Sequence, residues 1–273
     1  MTATQDVSEP AVDRRKPWRR PVLVGLVVIL LLVVAAVVGR TSTKPPAAPS
    51  ANLGTQLDQV LRPDIANLPL TDELGRSTNL GAFAGKIVVL TDFMSLCQEI
   101  CPVTTAELNQ IDQTVTNAGL GQQVQFVNIT IDPERDTPAR LHAYRDFAKL
   151  LPNWSLLTGT PDNIALLWKS FGASYSKQDP PSPPALDWMT GKPLTYDLAH
   201  SDVLVYLDAA GHERFVIQGM VNGADAPLTA AERGFLSDEG RANLTQNQDV
   251  TWTAPEALQV VSWLTKKHLH LAN

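Results

Sequence analysis

Hydrophobic and polar positions are spread very unevenly along this chain. From Pro21 to Gly39 (PVLVGLVVILLLVVAAVVG) there is no charged residue. A helix of that length, at ~1.5 Å per residue, approaches the roughly 30 Å of hydrocarbon in a bilayer. A core helix would show a polar stripe, and this run has none. Arg14, Arg15, Lys16, Arg19 and Arg20 precede it, whereas only Arg40 and Lys44 follow closely. Basic flanks are retained on the cytoplasmic side. The pattern therefore predicts a cytoplasmic N-terminus over 1–20, a single-pass transmembrane helix over 21–39, and an extracytoplasmic remainder. A cleaved signal peptide is the rival reading. Its apolar core would be about 7–15 residues long with a small-x-small site after it, and VVGRTST offers no clean one.

Beyond the anchor, residues 40–56 read as a tether. Thr41 to Ala51 (TSTKPPAAPSA) is rich in Pro, Ala and Ser, which favours extended, polyproline-like chain. From residue 57 to 273 the pattern changes to alternating strand and helix periods. Lys86–Thr91 (KIVVLT) predicts a buried strand and Cys97–Ala118 a helix with Val103, Leu108, Ile111 and Val115 along one stripe. Gln123–Ile131 predicts a second strand, and Asp132–Pro133 a turn. Thr137 and Pro138 have the chemistry of an N-cap and a first helical residue, opening a helix to Leu151.

Trp154–Leu157 predicts a third strand, and Thr160 caps a helix over Pro161–Phe171. Val203–Leu207 and Arg214–Ile217 predict a hairpin around Asp208–Gly211, and Pro255–Leu269 a closing amphipathic helix. This order implies an α/β fold, a mixed sheet flanked by helices in the thioredoxin-like manner. Two stretches, 177–199 with its prolines and 220–253, read as long loops. No repeat is visible.

Composition then removes whole classes of function. The 273 residues carry 22 basic and 28 acidic groups, a net charge of −6. The first 39 residues hold five basic and three acidic groups, so the remainder stands at −8. That argues against nucleic-acid binding and against a polybasic membrane patch. Two cysteines are too few for a disulfide scaffold or an all-cysteine zinc site.

Those two, Cys97 and Cys101, form a CxxxC followed by Pro102 at a predicted helix start. The free N–H groups and dipole of a first helical turn stabilise a thiolate. An i, i+4 spacing on a helix puts both sulfurs on one face. A structural disulfide, a redox pair and a shared metal ion all remain open on this spacing alone. Among the five histidines, His142 sits between arginines of a predicted helix, His212 lies at the hairpin turn, and His268 and His270 are near the C-terminus. His200 differs, since it ends the Pro-rich stretch just before strand Val203–Leu207.

Four segments together resemble the Sco/SenC family of copper-binding, thioredoxin-like proteins of cytochrome c oxidase assembly. They are GKIVVLTDFMSLCQEICPVTTAEL, IDPERDTPARLHAY, WSLLTGTPDNIALLWKSFGASY and AHSDVLVYLDAAG. The resemblance spans roughly Leu68–Gly219 and resumes in the last helix, and an N-terminal anchor fits it. It implies that Cys97, Cys101 and His200 hold one copper ion, as Cu(I) or Cu(II), and that Cys97 and Cys101 are redox-active. It implies as partner the copper-centre subunit of cytochrome c oxidase, or another copper protein, served by copper delivery, by reduction of target cysteines, or by both. Thiolates suit Cu(I), and an added imidazole also accommodates Cu(II). A thiol–disulfide oxidoreductase working without metal is the alternative.

Two departures stand out. Gln98 and Glu99 follow the first cysteine, where the family usually begins with Pro, and the stretch Met220–Thr253 is longer than expected. Met94 reads as a core residue with a thioether close to Cys97. Asn128, Asn153 and Asn243 match the glycosylation pattern, and DPERDTP reads as a turn with a helix cap.

Overall fold

The computed structural model describes residues 28–30, 44–246 and 250–271, and the chain divides into two compact units, 1–44 and 45–273. In the first unit only residues 28–30, which are helical, and Lys44 are described. The rest of the apolar run 21–39 read as an anchor lies outside the described residues. Among the described residues no helix is long and apolar enough to cross a membrane.

The second unit is built on an eight-stranded mixed sheet. Its elements are β1 (Thr55–Val60), α1 (Pro63–Ala66), β2 (Leu70–Asp72), β3 (Ser77–Thr78), β4 (Ile87–Phe93), α2 (Cys101–Asn117) and β5 (Val124–Thr130). There follow α3 (Pro138–Phe147), β6 (Trp154–Gly159), α4 (Pro161–Ser170), β7 (Tyr175–Gln178), β8 (Asp197–His200), β9 (Val203–Leu207) and β10 (His212–Gln218). The last are β11 (Met220–Val221), α5 (Ala230–Phe235), α6 (Asp238–Gln246), β12 (Val250–Trp252) and α7 (Ala254–Thr265). The strand order is β1-β10-β9-β4-β5-β6-β2-β3. Strands β4, β5 and β6 run parallel; β9 pairs antiparallel with β4, and β10 pairs antiparallel with β9. Parallel neighbours require a crossover, supplied here by α2 and α3. Every residue of β4 and β5 is buried, as expected of strands covered on both faces. This is the thioredoxin-like α/β arrangement.

The local signals act as their chemistry dictates. The Thr137 hydroxyl accepts the Arg140 N–H and the Thr160 hydroxyl accepts the Asn163 N–H, each with Pro at the first helical position. The Tyr206 hydroxyl on β9 donates to the Ala257 carbonyl of α7, and the Trp168 indole on α4 donates to the Thr130 carbonyl of β5. These bonds tie helices to the sheet through a core that includes Trp154, Trp168 and Phe126.

Three readings need correction. The cysteine helix begins at Cys101 rather than Cys97, because residues 94–100 form turns; the Cys97 N–H donates to the Met94 carbonyl at 3.2 Å. Stretch 177–199 is partly ordered as a ribbon, β7 pairing antiparallel with β8 from Tyr175↔His200 to Gln178↔Asp197. Stretch 220–253 is likewise no simple loop, since it carries α5, α6 and the parallel pair β11–β12. In addition, β1 opens at Thr55, two residues inside the stretch read as tether. It is an exposed edge strand of polar sequence (TQLDQV), so it lacks the alternation that marks a half-buried strand.

Candidate metal centre

Sheet register assembles the site. Thr91 of β4 pairs with Leu204 of β9, so the start of β9 lies beside the C-terminal end of β4. The residue that precedes β9 by a short turn, His200, is therefore carried to the point where the chain leaves β4 for the cysteine turn. The carboxyl ends of parallel strands are where α/β sheets build their sites.

Cys97, Cys101 and His200 offer three donor atoms that all lie within 4.8 Å of one another. The Cys101 sulfur is 4.0 Å from His200 Nε2. With metal–sulfur bonds of about 2.3 Å and metal–imidazole bonds of about 2.0–2.1 Å, trigonal ligands sit roughly 3.8 Å apart, so the spacing suits one ion. Both thiols are free and buried.

The two sulfurs differ in character. The Cys101 backbone N–H, at the first turn of α2, donates to the Cys97 sulfur at 3.3 Å. The hydrogen bond from the Cys101 thiol, helped by His200 against the effect of burial, holds Cys97 well below the ordinary thiol range. The same bond and burial push Cys101 well above it. The environment thus favours the charged form at Cys97 over Cys101. The placement comes from the turn over 97–100 and the free first-turn amide, rather than from two sulfurs on one helical face.

His200 is oriented by a residue that the sequence reading missed. Its Nδ1 lies 2.9 Å from Asp92 Oδ2, while the other oxygen of Asp92 accepts the Val203 N–H at 2.9 Å. That fixes the ring with Nε2 facing the cysteines, an arrangement in which a carboxylate orients a ligating imidazole. Burial opposes the imidazolium, but the bond to Asp92, the nearby Cys97 sulfur and the charges of Asp92 and Asp202 outweigh it, and the pKa is pushed up to about 11. Asp202 itself is raised to about 7 by burial, with His200 acting against the rise. Glu99 is raised to about 7 by burial and by the charges of Cys97, Glu239 and Asp197. A carboxylate interrupting the apolar run IVVLTDF was the one signal available for Asp92.

The DPERDTP segment does more than cap a helix. The buried Asp136 carboxylate accepts from the Ser95 N–H at 3.1 Å, from the Thr130 hydroxyl at 2.5 Å and from the Ser95 hydroxyl. It thus anchors the turn that carries Cys97. Asp132 pairs with Arg135 and accepts the Tyr196 hydroxyl at 2.6 Å, and the Arg135 guanidinium stacks 3.7 Å over the Tyr196 ring. Arg140 grips Asp187 with two bonds of 2.9 and 2.6 Å. The Trp188 indole donates to the Ser95 carbonyl at 2.8 Å and stacks on Phe147. The Pro-rich excursion is therefore fastened against the cysteine turn.

Gln98 explains its own departure from the family pattern. Its side-chain amide donates to the Leu186 carbonyl at 2.8 Å, and its own carbonyl accepts the Ser237 N–H at 2.9 Å. Both excursions therefore close on this one residue. Gly240 of α6 packs so tightly here that a Cβ would lie 2.2 Å from the Gln98 oxygen.

The other candidates fall elsewhere. His142, His268 and His270 are exposed, and His212 faces Asp58 at 3.1 Å. Met94 is buried in the core. Asn128 is buried, and Asn153 donates to Asp112 at 2.6 Å, so neither presents a free amide to a glycan. Asn243 is half-buried in α6.

The SCO1/SenC family model matches residues 65–227, more than half of the chain. The chain belongs to the SCO1/SenC family. It is 37% identical over 109 residues to the mitochondrial SCO2 homolog of Bos taurus, covering 39% of this chain and 40% of that protein. It is 33% identical over 93 residues to protein SenC of Rhodobacter capsulatus, covering 34% and 40%. The chain spans about half or less of the length of the curated relatives it matches. Among solved structures, Arabidopsis thaliana ScoI with copper bound aligns at 25% identity and a TM-score of 0.47, over 56% of this chain and 88% of that one.

Proposed function

We propose that this SCO1/SenC protein is a copper carrier. It takes one copper ion as cargo between the sulfurs of Cys97 and Cys101 and Nε2 of His200, and passes it to the copper-centre subunit of cytochrome c oxidase or to another copper protein. The convergence of those three donor atoms within 4.8 Å, with Asp92 behind the imidazole, carries the reading. Two thiolates and an imidazole form a soft set suited to Cu(I) that also tolerates Cu(II). The ligands must shed protons to bind, so loading releases protons and needs reduced thiols. Anchorage by a single-pass helix over 21–39, with the carrier domain outside the cytoplasm, belongs to the same proposal and rests on the apolar run and its basic flank.

The test is copper stoichiometry and the copper–sulfur absorption of the reduced protein. Wild type should hold one ion per chain, and His200→Ala, Cys97→Ser and Cys101→Ser should each lose it. A reduced protein that retains no copper, or a His200→Ala variant that behaves as wild type, ends the reading.

The lowered pKa of Cys97 beside the raised pKa of Cys101 favours a second activity on the same pair. Cys97 would attack a target disulfide, and Cys101 would then resolve the mixed disulfide, leaving the target reduced and Cys97–Cys101 oxidised. That activity should persist, at a lower rate, in His200→Ala and vanish in Cys97→Ser.

A further inference from the structure

Beside the cysteine turn lies a cavity of about 430 Å³ whose walls come from both excursions. Cys97 lines it and Cys101 does not, so Cys97 is the residue of the pair that faces this space. Its inner wall is apolar, formed by Met94, Leu96 and Leu194. Glu99, Asp197, Asp238 and Glu239 also line it, and among the described residues no Lys, Arg or His does. Asp238 is already paired with Arg241 at 2.5 Å. That leaves Asp197 and Glu239 to set the sign of the cavity.

The rim suggests a macromolecule rather than a bare cation. Leu186 lines the mouth and is 54% exposed, and Met189, three residues on, is 46% exposed. Large apolar side chains left in solvent beside a cleft mark an interaction surface. The volume falls in the range of about 300–1,000 Å³ that accepts a small ligand or a few side chains, not a folded domain. Whatever enters must be a protruding segment, apolar at its tip and positively charged beside it.

We propose that this cleft docks an extended segment of a partner protein bearing lysine or arginine next to an apolar side chain. The apolar side chain seats on Met94, Leu96 and Leu194, the cations face Asp197 and Glu239, and the segment arrives beside the Cys97 sulfur. The proposal rests on the reading of Cys97 as the sulfur that exchanges copper or electrons with a partner. The sign of the cleft then selects partners and speeds their approach.

The test uses the full-length, reduced, copper-free protein and follows alkylation of Cys97 by neutral iodoacetamide with mass spectrometry. The probes are two synthetic heptapeptides, one alternating lysine and leucine, the other alternating glutamate and leucine. The lysine peptide should slow alkylation at least about threefold, and added salt should reverse the effect. The glutamate peptide should leave the rate unchanged. Protection should disappear in the Asp197→Asn/Glu239→Gln double variant. Equal protection by both peptides, no protection by either, or full protection of the double variant would overturn the proposal. Copper stoichiometry on the same preparations separates the two readings. Copper held without peptide protection defeats the docking site alone, and protection without copper defeats the carrier alone.

Discussion

Asp92 Oδ2 sits 2.9 Å from His200 Nδ1, although the two residues are 108 positions apart in sequence. The other oxygen of the same carboxylate accepts the Val203 N–H. One side chain therefore locks both the ring and the strand that follows it. Removing its charge while keeping its shape should expose its contribution to the metal site. Asp92→Asn is expected to weaken copper binding by about 10–100-fold, the usual effect of losing a carboxylate behind a ligating imidazole. Competition against a Cu(I) chelator measures this, and unchanged affinity would show that the pairing is merely structural.

His200 also acts on Cys97 without any metal. Its imidazole lies close to both sulfurs, and its charge lowers the Cys97 pKa. In the metal-free His200→Ala variant the Cys97 pKa should rise, so less thiolate is present at neutral pH. Alkylation of Cys97 should then slow by up to about tenfold. Ultraviolet thiolate absorbance followed against pH gives the direct measurement, and a lower Cys97 pKa in the variant would contradict the assignment.

Gly240 is required by the close approach of α6 to the backbone of Gln98 and Glu99. Its added Cβ would lie 2.2 Å from the Gln98 oxygen and 3.0 Å from the Glu99 Cα. Gly240→Ala should push the helix away from the cysteine turn at a cost of about 1–3 kcal/mol. The Ser237–Gln98 hydrogen bond should be lost first, seen as faster exchange of the Ser237 amide, and alkylation of Cys97 should accelerate. An unchanged rate would mean that the helix does not cover the turn.

The Arg140–Asp187 pair gives the Pro-rich excursion a defined acid sensitivity. The bidentate bond from Arg140 holds the Asp187 carboxyl well below the usual range, helped against burial by the Met189 N–H. A depressed carboxyl contributes stability above its unfolded value, about 3.9, and loses it as pH falls toward the folded value. Protease cleavage within 179–196 should therefore stay constant from neutrality to about pH 4 and rise only below it. Asp187→Asn should raise cleavage at neutral pH and abolish the acid dependence.

Much of the framework is legible in the sequence. The Thr137 and Thr160 caps, the buried runs of β4 and β5 and the Asp208–Gly211 hairpin turn are local features, and their chemistry acts within a few residues. Cys97 and Cys101 are visible as a pair for the same reason, although the pattern predicts the helix start one turn early. The Gln98 carbonyl is engaged by Ser237 and its side chain by Leu186, and neither partner is near it in sequence. The helix therefore opens only at Cys101, with Pro102 in its first turn.

What the sequence by itself determined is the alternation of elements, the thiol pair at a helix start, the apolar run at 21–39 and, through its motifs, the candidate role of His200. Tertiary structure alone decided the rest. It set Asp92 behind His200, made Gln98 the residue on which both excursions close, gave stretch 220–253 its helices, and left a cavity of one charge sign beside Cys97. These features depend on strand register and on hydrogen bonds between residues far apart in the chain, and such partners leave no periodicity to read. A buried carboxylate in β4 looks like an interruption until the sheet supplies the imidazole and the amide that satisfy it.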